Sequence, residues 1–451
     1  MLTDTAAERS WRDTLAHLKD WRALRIGLLG FSSGLPLLLV FGTLSFWLRE
    51  AGIDRSTIGF VSWVALAYAL KVFWSPLVDR LPLPLLTRAL GRRRAWLVFT
   101  QLAIAAGLLG LAFSDPAQDL EKTVWLALLV AFASATQDVA VDAYRIESAE
   151  ERMQGILAAF YTTGYRIAMF VASAGALWIA AAFDPDESSY QQGPWLVTYA
   201  SMAALMGVGL ATTLFSPEPH PEVAPLPAVP AGEPWPLRLA RWFREAVLAP
   251  FADFFRRHGW LALLVLALIA SYRLSDIVLG VIANVFYKDM GFGKDEIALV
   301  SKGFGIYMTI LGGFLGGVAV YRLGVMPVLF AGALLSAATN LLFAWLAGQG
   351  HDFWGLVAVV GMDNLSAGVA VAAFVAYLSG LVNISYSATQ YALFSSVMVL
   401  FPKFLGGYSG VLVDRLGYPG FFTLTALMGV PVLLLVAAAW RWTEVEVPRR
   451  G

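Results

Sequence analysis

Apolar residues fill this chain in long runs that short polar segments separate. Twelve runs are about 20 residues long or longer, the length that an α-helix needs to cross the hydrocarbon core of a bilayer. We predict spans 1 to 12 at residues 24–48, 57–79, 95–114, 123–146, 154–182, 194–215, 260–287, 296–320, 325–347, 353–381, 388–412 and 419–440. The pattern therefore predicts an all-α integral membrane protein with 12 transmembrane helices.

Basic residues between the runs indicate the orientation. Of the 32 Lys and Arg residues, 21 fall on the tails and loops of one side, 6 on the loops of the other side, and five within spans. Lys and Arg accumulate in cytoplasmic loops, because the side that carries them is retained inside during insertion. We therefore predict that both termini are cytoplasmic.

A proline-rich segment at 216–230 divides the spans into two sets of six. After it, Trp235–Phe255 alternates Leu, Trp and Phe with Arg at helical spacing, which predicts an amphipathic helix on the cytoplasmic membrane surface. The predicted parts are a cytoplasmic tail (1–23), an N-terminal six-helix bundle (24–215), a cytoplasmic linker with that helix (216–258), a C-terminal six-helix bundle (259–440) and a second cytoplasmic tail (441–451).

The two sets of spans resemble each other in sequence. Phe46–Ser62 aligns without gaps with Val285–Ser301, at an offset of 239 residues, and both segments join the first two spans of their set on the outer side. Two parallel halves related by an axis along the membrane normal are the architecture of major facilitator transporters, whose substrates bind between the halves near the midplane. We predict this fold, with two pseudo-symmetric bundles.

Composition excludes several other classes. The chain is 58% hydrophobic and 14% charged, and its formal net charge is zero, so no nucleic-acid partner is expected. It has no Cys, and its four His residues lie outside the spans. No metal-binding spacing exists. An intramembrane enzyme would need a nucleophile–base pair or a metal, so that class is disfavoured.

Polar side chains share one face of span 4. Asp138 and Asp142 are i,i+4 neighbours, Arg145 follows three residues later, and Gln137 precedes Asp138. Charges at this depth cost at least ~2.5 kcal/mol each, so they usually face a bundle interior or a water-filled path. We predict proton coupling at Asp138, Asp142 and Lys71, with Asp142 also suited to a gate salt bridge.

Lys71 lies in the middle of span 2, where an unpaired ammonium is costly. Spans of the same half could bring it against Asp138, and such a pair would be either inert scaffolding or part of a proton relay. On span 7, Arg273 and Asp276 are three residues apart and either pair with each other or serve the site.

Polar groups recur at equivalent depths in both halves, as a site on the pseudo-twofold axis requires. Basic groups within spans suit carboxylates, and tyrosine rings beside hydrogen-bonding groups suit sugars, although packing is the simpler explanation for any single ring. The candidate substrate-binding residues are Gln137, Tyr144, Tyr161, Tyr165, Arg166, Arg273, Asp276, Asp363, Asn364, Gln390 and Lys403.

The loop between spans 2 and 3 carries a candidate cytoplasmic gate. Asp79 can cap a helix N-terminus of the other half, and the arginines can pair with acids such as Glu147. The alternative is that these arginines only fix the topology. The candidate gate residues are Asp79, Arg80, Arg92, Arg93, Arg94, Arg145 and Glu147.

Motifs in both halves resemble a known family. They are Gly30–Pro36, Lys71–Arg80, Ser134–Tyr144, Met362–Asn364 and Ser387–Leu393. The motif in span 4 is the most specific of them, and together they cover nearly the whole chain. On these motifs the sequence resembles the AmpG family of muropeptide permeases, within the major facilitator superfamily.

This resemblance implies import of N-acetylglucosaminyl-1,6-anhydro-N-acetylmuramyl peptides from periplasm to cytoplasm by proton symport. It implies a multi-pass protein of the bacterial inner membrane that acts in peptidoglycan recycling and, indirectly, in β-lactamase induction. The expected partners are the muropeptide, protons and membrane lipids, with no cofactor besides the proton gradient, and a monomer is expected.

Two other transporter classes remain as alternatives. A drug antiporter would show a Gly-Pro-rich gate in span 5, which this chain lacks. A major facilitator porter for another sugar, an organic anion or an acyl-CoA-like compound fits the same polar groups.

Overall fold

The protein is described here by a computed structural model that covers residues 20–446 except 54–56, 58–60, 62, 63, 65, 151, 152, 185–188, 220–236, 238–243, 245–247 and 407. Within that part of the chain every regular element is helical. Eleven helical stretches are long and apolar enough to cross a membrane. The all-α membrane fold is therefore confirmed.

The predicted spans correspond to helices with the following bounds. In the first half they are Trp21–Leu39 and Gly42–Glu50 (span 1), Leu66–Leu70, Lys71–Phe73 and Ser75–Arg80 (span 2), Arg92–Ala112 (span 3), Leu120–Glu147 (span 4), Gln154–Phe170, Val171–Gly175 and Ala176–Ala182 (span 5), and Gln192–Phe215 (span 6). A short helix, Leu86–Leu90, lies in the loop between spans 2 and 3.

The second half continues the same arrangement. Its helices are Leu261–Ser271 and Leu274–Asp289 (span 7), Lys294–Ile297, Ala298–Phe304 and Gly305–Leu323 (span 8), Val325–Leu346 (span 9), Phe353–Leu381 (span 10), Ser387–Gly406 and the first part of Ser409–Leu427 (span 11), and the rest of that helix with Gly429–Glu446 (span 12). The chain turns between spans 11 and 12 at Gly417, whose φ of 66° and ψ of 171° are not helical.

Span 2 accounts for the difference between twelve predicted spans and eleven observed ones. Its described part consists of three short helical pieces, and the outer part falls largely outside the described residues. The count of twelve, the cytoplasmic termini and the domain limits stay predictions. Below, "cytoplasmic end" means the end that the charge distribution assigns to the cytoplasm.

Much of the predicted linker also lies outside the described residues. Of the amphipathic helix expected at Trp235–Phe255, the structure gives the end, as a helix over Ala249–His258. Phe254 is buried there against Phe394 of span 11, with ring centroids 5.2 Å apart. This linker helix is thus attached to the C-terminal half.

Aspartates begin three of the spans because each caps the free amides of a helix N-terminus. Asp20 accepts from the backbone N–H of Arg22, and Asp119 accepts from that of Lys122. Asp352 accepts from the backbone N–H of Gly355 in the same way. Each polar cap therefore fixes where an apolar run enters the membrane.

Glycines bring spans 1 and 5 into backbone contact. A Cβ added to Gly164 would lie 1.9 Å from the carbonyl oxygen of Gly27, and one on Gly30 would lie 2.3 Å from that of Tyr161. Small residues allow membrane helices to approach this closely. The contact sets the position of span 5, which carries several of the candidate site residues.

The two halves meet at their cytoplasmic ends. A Cβ on Gly155, at the start of span 5, would contact Val320 at 2.9 Å, near the end of span 8. One turn deeper, Phe160 and Phe314 make an edge-to-face contact with centroids 5.2 Å apart. The structure is therefore closed at the cytoplasmic end.

Gly164→Ala is expected to destabilise the protein, because its methyl group would overlap the backbone of span 1. Overpacking of this kind costs about 1–3 kcal/mol. The measurement is the melting temperature of the purified protein in detergent, which should fall.

The matched control is Gly207→Ala in span 6, where an added Cβ has nothing within 4 Å. Equal melting temperatures for both variants would show that the contact between spans 1 and 5 is looser than described.

Candidate functional site

A buried ion network lies at the cytoplasmic end of the interface between the halves. Arg93, at the start of span 3, is fully buried, and its Nη2 is 2.7 Å from Asp79 Oδ1 and 2.5 Å from Glu147 Oε1. The same Nη2 donates to Ser387 Oγ of the other half at 2.8 Å. We call Asp79, Arg93, Glu147, Ser387 and Thr389 the latch.

Asp79 completes the helix N-terminus of span 11. Its carboxylate accepts from the backbone N–H groups of Ala388 at 3.1 Å and Thr389 at 2.7 Å, and from Thr389 Oγ1 at 2.6 Å. These amides have no partner within their own helix, and the positive end of the helix dipole favours a carboxylate there. One carboxylate of the N-terminal half thus satisfies several donors of the C-terminal half.

Arg145 makes a second connection between the halves. Its Nη1 donates to Gln154 Oε1 at 2.8 Å and to Ser379 Oγ of span 10 at 3.0 Å. Its guanidinium also lies over the ring of Tyr391, 5.2 Å from the centroid, and 3.6 Å from Asp142. Arg145 and Asp142 therefore belong to the interface, as a gate salt bridge would require.

The remaining predicted gate arginines differ in what they contact. Arg80 lies 4.8 Å from the ring of Tyr386, just before span 11. Arg92 donates to the backbone carbonyl of Asp79 at 2.9 Å. Arg94 instead donates to the carbonyls of Thr213 and Leu214 in span 6. Arg94 therefore ties two helices of one half together, which corrects its predicted place in the gate.

Span 4 also carries a polar cluster deeper in the N-terminal half. Gln137 Nε2 donates to the hydroxyls of Ser32 and Ser33 in span 1, at 3.1 and 3.3 Å. Gln137 Oε1 and Asp138 Oδ1 are buried and have no hydrogen-bond partner. Buried polar atoms without a hydrogen-bond partner are rare in proteins. These two oxygens can therefore accept hydrogen bonds from a ligand or a water molecule.

Lys71 lies near these carboxylates without touching them. It sits where span 2 changes from α-helix to a 3₁₀ turn, and it is buried. It interacts electrostatically with both Asp138 and Asp142, but forms no ion pair within 4 Å among the described residues. The predicted direct Lys71–Asp138 pair is therefore absent in this conformation.

Three tyrosines surround this cluster. Tyr161 and Tyr165 of span 5 have ring centroids 5.9 Å apart and interact electrostatically with Asp138. Tyr68 of span 2 also interacts electrostatically with Asp138, and its buried hydroxyl has no hydrogen-bond partner. Hydroxyl groups, an amide and a carboxylate thus meet in one buried region of the N-terminal half.

The C-terminal half holds two further carboxylates. Ser336 donates to Asp276 Oδ1, and Thr339 donates to Asp363 Oδ1 at 3.3 Å. Asp276 and Asp363 are close enough to repel each other. Asp276 thus finds its partner on span 9 and not on Arg273, which disfavours the first of the two alternatives for this pair.

The side chain of Asn364 has its hydrogen-bond partner within the C-terminal half. Its Oδ1 accepts from Thr309 Oγ1 of span 8 at 2.8 Å. Arg166 and Arg273 come from opposite halves and interact electrostatically with each other. Both guanidinium groups have a buried Nε without a partner.

Three predicted substrate-binding residues lie elsewhere. Tyr144 donates to the backbone carbonyl of Pro217 at 2.8 Å, at the cytoplasmic end. Gln390 donates to Asp253 of the linker helix at 3.0 Å and accepts from Arg257 at 3.1 Å. Lys403 is exposed on span 11, and no described contact joins it to the others. The first two positions contradict the prediction, because neighbouring backbone and the linker helix occupy these side chains.

Two latch residues, Ser387 and Thr389, are not among the predicted gate residues. Their position at the start of span 11 is a helix-capping signal, which could have identified them as partners of a carboxylate. Glu218 was also missed: its carboxylate accepts from the backbone N–H groups of Arg93 and Arg94, at 2.8 and 3.0 Å. In the sequence Glu218 is only an acidic residue just after span 6, and its position does not indicate that it contacts the start of span 3.

No group of three or more His, Cys, Asp or Glu residues suited to a metal ion occurs in the described part of the chain. The chemistry of the site rests on carboxylates, guanidinium groups, hydroxyls and amides.

Comparison with known proteins agrees with this architecture. A model of the Major Facilitator Superfamily matches residues 26–275. The chain is 34% identical over 411 residues to the anhydromuropeptide permease of Escherichia coli K12, which covers 91% of this chain and 78% of that protein. It is 34% identical over 418 residues to a Rickettsia conorii protein that bears the name AmpG 4, which covers 93% and 96%.

Solved structures share the fold. The proton:xylose symporter XylE, bound to 6-bromo-6-deoxy-D-glucose, superposes with a TM-score of 0.63 at 16% identity, over 95% of this chain and 96% of that one. The transporter FucP in its outward conformation gives a TM-score of 0.65 at 12% identity, over 93% and 99%.

The chain belongs to the Major Facilitator Superfamily, and it is a transporter rather than an enzyme. Within the superfamily it belongs to the family of the AmpG permeases, as the long matches at 34% identity show. It is a multi-pass protein of the bacterial inner membrane.

Arg93→Gln is expected to open the cytoplasmic end. Removing one partner of a buried ion pair costs about 3–5 kcal/mol, because the charges left behind are unpaired. The chain has no native Cys, so a single Ala159→Cys reporter can measure opening. Ala159 is 2% exposed and lies against Gly317 across the interface. A maleimide should label it faster in the Arg93→Gln background.

Arg94→Gln is the matched control, since Arg94 contacts only its own half among the described residues. Equal labelling rates in the Arg93→Gln and Arg94→Gln backgrounds would count against the latch.

Proposed function

We propose that the protein imports anhydro-muropeptides, GlcNAc-1,6-anhydro-MurNAc with or without a peptide, from periplasm to cytoplasm. Transport would proceed by alternating access and be driven by proton symport, without a cofactor. The role would be peptidoglycan recycling and, indirectly, β-lactamase induction. The observation that carries this proposal is the buried cluster around Asp138, in a chain whose E. coli relative is named an anhydromuropeptide permease.

The cluster suits an amphiphilic sugar. The tilted rings of Tyr161 and Tyr165 offer apolar faces, and the unpartnered Gln137 Oε1 offers an acceptor for a sugar hydroxyl or N-acetyl N–H. Such a site with apolar walls and a few placed polar groups is typical of ligand pockets. The peptide portion would extend towards the C-terminal half, which contributes Arg273, Asp276 and Asp363.

Asp138 is the best candidate for the proton-coupling group. It is 7% exposed, has an unpartnered oxygen, and lies within electrostatic reach of Lys71 without forming an ion pair. A buried carboxylate in this position can lose or gain a proton as the cavity changes its access to water. Asp142 contacts Arg145 instead, so its role would be in the gate.

Opening to the cytoplasm would require the contacts between the halves to separate. Asp79 must leave the N-terminus of span 11, Arg93 must leave Ser387, and Arg145 must leave Ser379. Span 4 carries both Asp138 and the residues around Arg145, so a change at the cluster can reach the interface along one continuous helix. This is the physical route by which proton and substrate binding would affect the gate.

A porter for another sugar, an organic anion or an acyl-CoA-like compound is the alternative. Uptake of labelled anhydro-muropeptide into proteoliposomes, with each of these compounds as competitor, separates the possibilities. Inhibition by unlabelled anhydro-muropeptide alone is the result we expect.

Asp138→Asn is expected to abolish accumulation of muropeptide driven by an imposed proton gradient, since the amide cannot release a proton. Counterflow, the exchange of labelled for unlabelled substrate, needs no net proton movement and should persist. Both are measured in the same proteoliposomes.

Asp363→Asn is the matched control, because Asp363 is a carboxylate within span 10 of the other half. Unchanged concentrative uptake by Asp138→Asn would exclude Asp138 as the coupling group. Loss confined to Asp363→Asn would move coupling to the C-terminal half.

A further inference from the structure

Two arginines, one from each half, lie within electrostatic reach of each other. Arg166 is twelve residues after Gln154, where span 5 begins, and Arg273 is twelve residues after Leu261, where span 7 begins. At 1.5 Å per residue, each lies roughly 18 Å from the cytoplasmic start of its span, near the middle of a hydrocarbon core about 30 Å thick. Their guanidinium groups are close enough to repel each other.

Neither guanidinium is in direct contact with an acidic side chain in the described part of the chain. Both Nε atoms are buried without a hydrogen-bond partner, and neither side chain forms an ion pair within 4 Å. The nearest acid along span 7, Asp276, accepts from Ser336 instead. Arginine does not lose its proton in proteins, so both positive charges persist.

The helix of span 7 is locally irregular at Arg273. Its two regular parts end at Ser271 and begin again at Leu274, although Tyr272 between them keeps helical dihedral angles, with φ of -54° and ψ of -38°. Two like charges with unpartnered donors, one from each half, suit the binding of an anion.

We propose that Arg166 and Arg273 form a split site for a carboxylate of the substrate, one guanidinium from each half. The planar fork of each guanidinium binds a carboxylate with paired hydrogen bonds. While the site is empty, repulsion between the pair opposes closure of the outer side. A bound carboxylate reverses this, so the halves close around acidic substrate. The inference rests on the proposed function, since it assigns the acidic peptide portion of the muropeptide to this pair.

The test compares an anhydro-muropeptide that has free carboxyl groups with the same compound after amidation. Binding is measured by thermal stabilisation of the full-length protein in detergent. The wild type should bind the free acid at least about tenfold more tightly. In Arg166→Gln and Arg273→Gln this preference should disappear.

Arg166→Lys keeps the charge but loses the fork, so it should retain part of the preference. Arg49→Gln is the control, because Arg49 is an exposed arginine that contacts the carbonyl of Ile53. Equal binding of acid and amide by the wild type, or an unchanged preference in both glutamine variants, overturns the split site while leaving muropeptide transport intact.

Closure is measured with a cysteine at Met169, one helical turn outward of Arg166. A thiol reagent should label it in the empty wild type, and the free acid should protect it more than the amide does. Equal protection by both compounds would contradict a closure that depends on the carboxylate.

Failure of the proposed function has a different signature, because neither form of the muropeptide would then bind. Binding of N-acetylglutamate, compared with binding of its diamide, tests the anion site independently of the muropeptide. Tighter binding of the acid that is lost when either arginine is replaced supports the site. Equal binding of the two compounds by the wild type overturns it.

Discussion

The buried guanidinium of Arg93 joins three helices at the cytoplasmic end of the transporter. It contacts a carboxylate from span 2, a carboxylate from span 4 and a hydroxyl from the start of span 11. Buried charges are stable only when all of them are satisfied together, so the network favours either complete assembly or complete separation. That property suits a gate with two discrete positions. With the gate closed, the polar clusters lie between it and the outer side of the protein.

Continuous helices connect the gate to the polar clusters. Span 4 carries Asp138 near its middle and Glu147 at its cytoplasmic end. Span 5 carries Gly155 at the seal between the halves, the tyrosine pair above it, and Arg166 further outward. A rigid helix that holds residues of both kinds moves them together. The proposed proton uptake, substrate binding and gate opening would therefore be coupled by movement of the same helices, without a separate relay.

The sequence predicted which residues share a helix face better than it predicted their partners. The 3.6-residue period placed Asp142 and Arg145 on one face of span 4, where the structure brings them within 3.6 Å of each other. Gln390 was misplaced, because its partners lie on a linker helix that the span pattern says nothing about. Of the two alternatives for Arg273 and Asp276, the direct pair is not formed, because Ser336 of a neighbouring helix donates to Asp276 instead. Spacing along a helix cannot reveal which helix will lie opposite.

We propose that the sugars and an acidic peptide end of the muropeptide bind between the halves, at the Asp138 cluster and at the arginine pair. The most direct measurement is a cryo-electron microscopy structure of the protein with anhydro-muropeptide bound. We predict the sugars beside Tyr161 and Gln137, and a peptide carboxylate between the guanidinium groups of Arg166 and Arg273. A substrate bound away from both clusters, or arginines that stay without an anion in the bound state, would contradict this account.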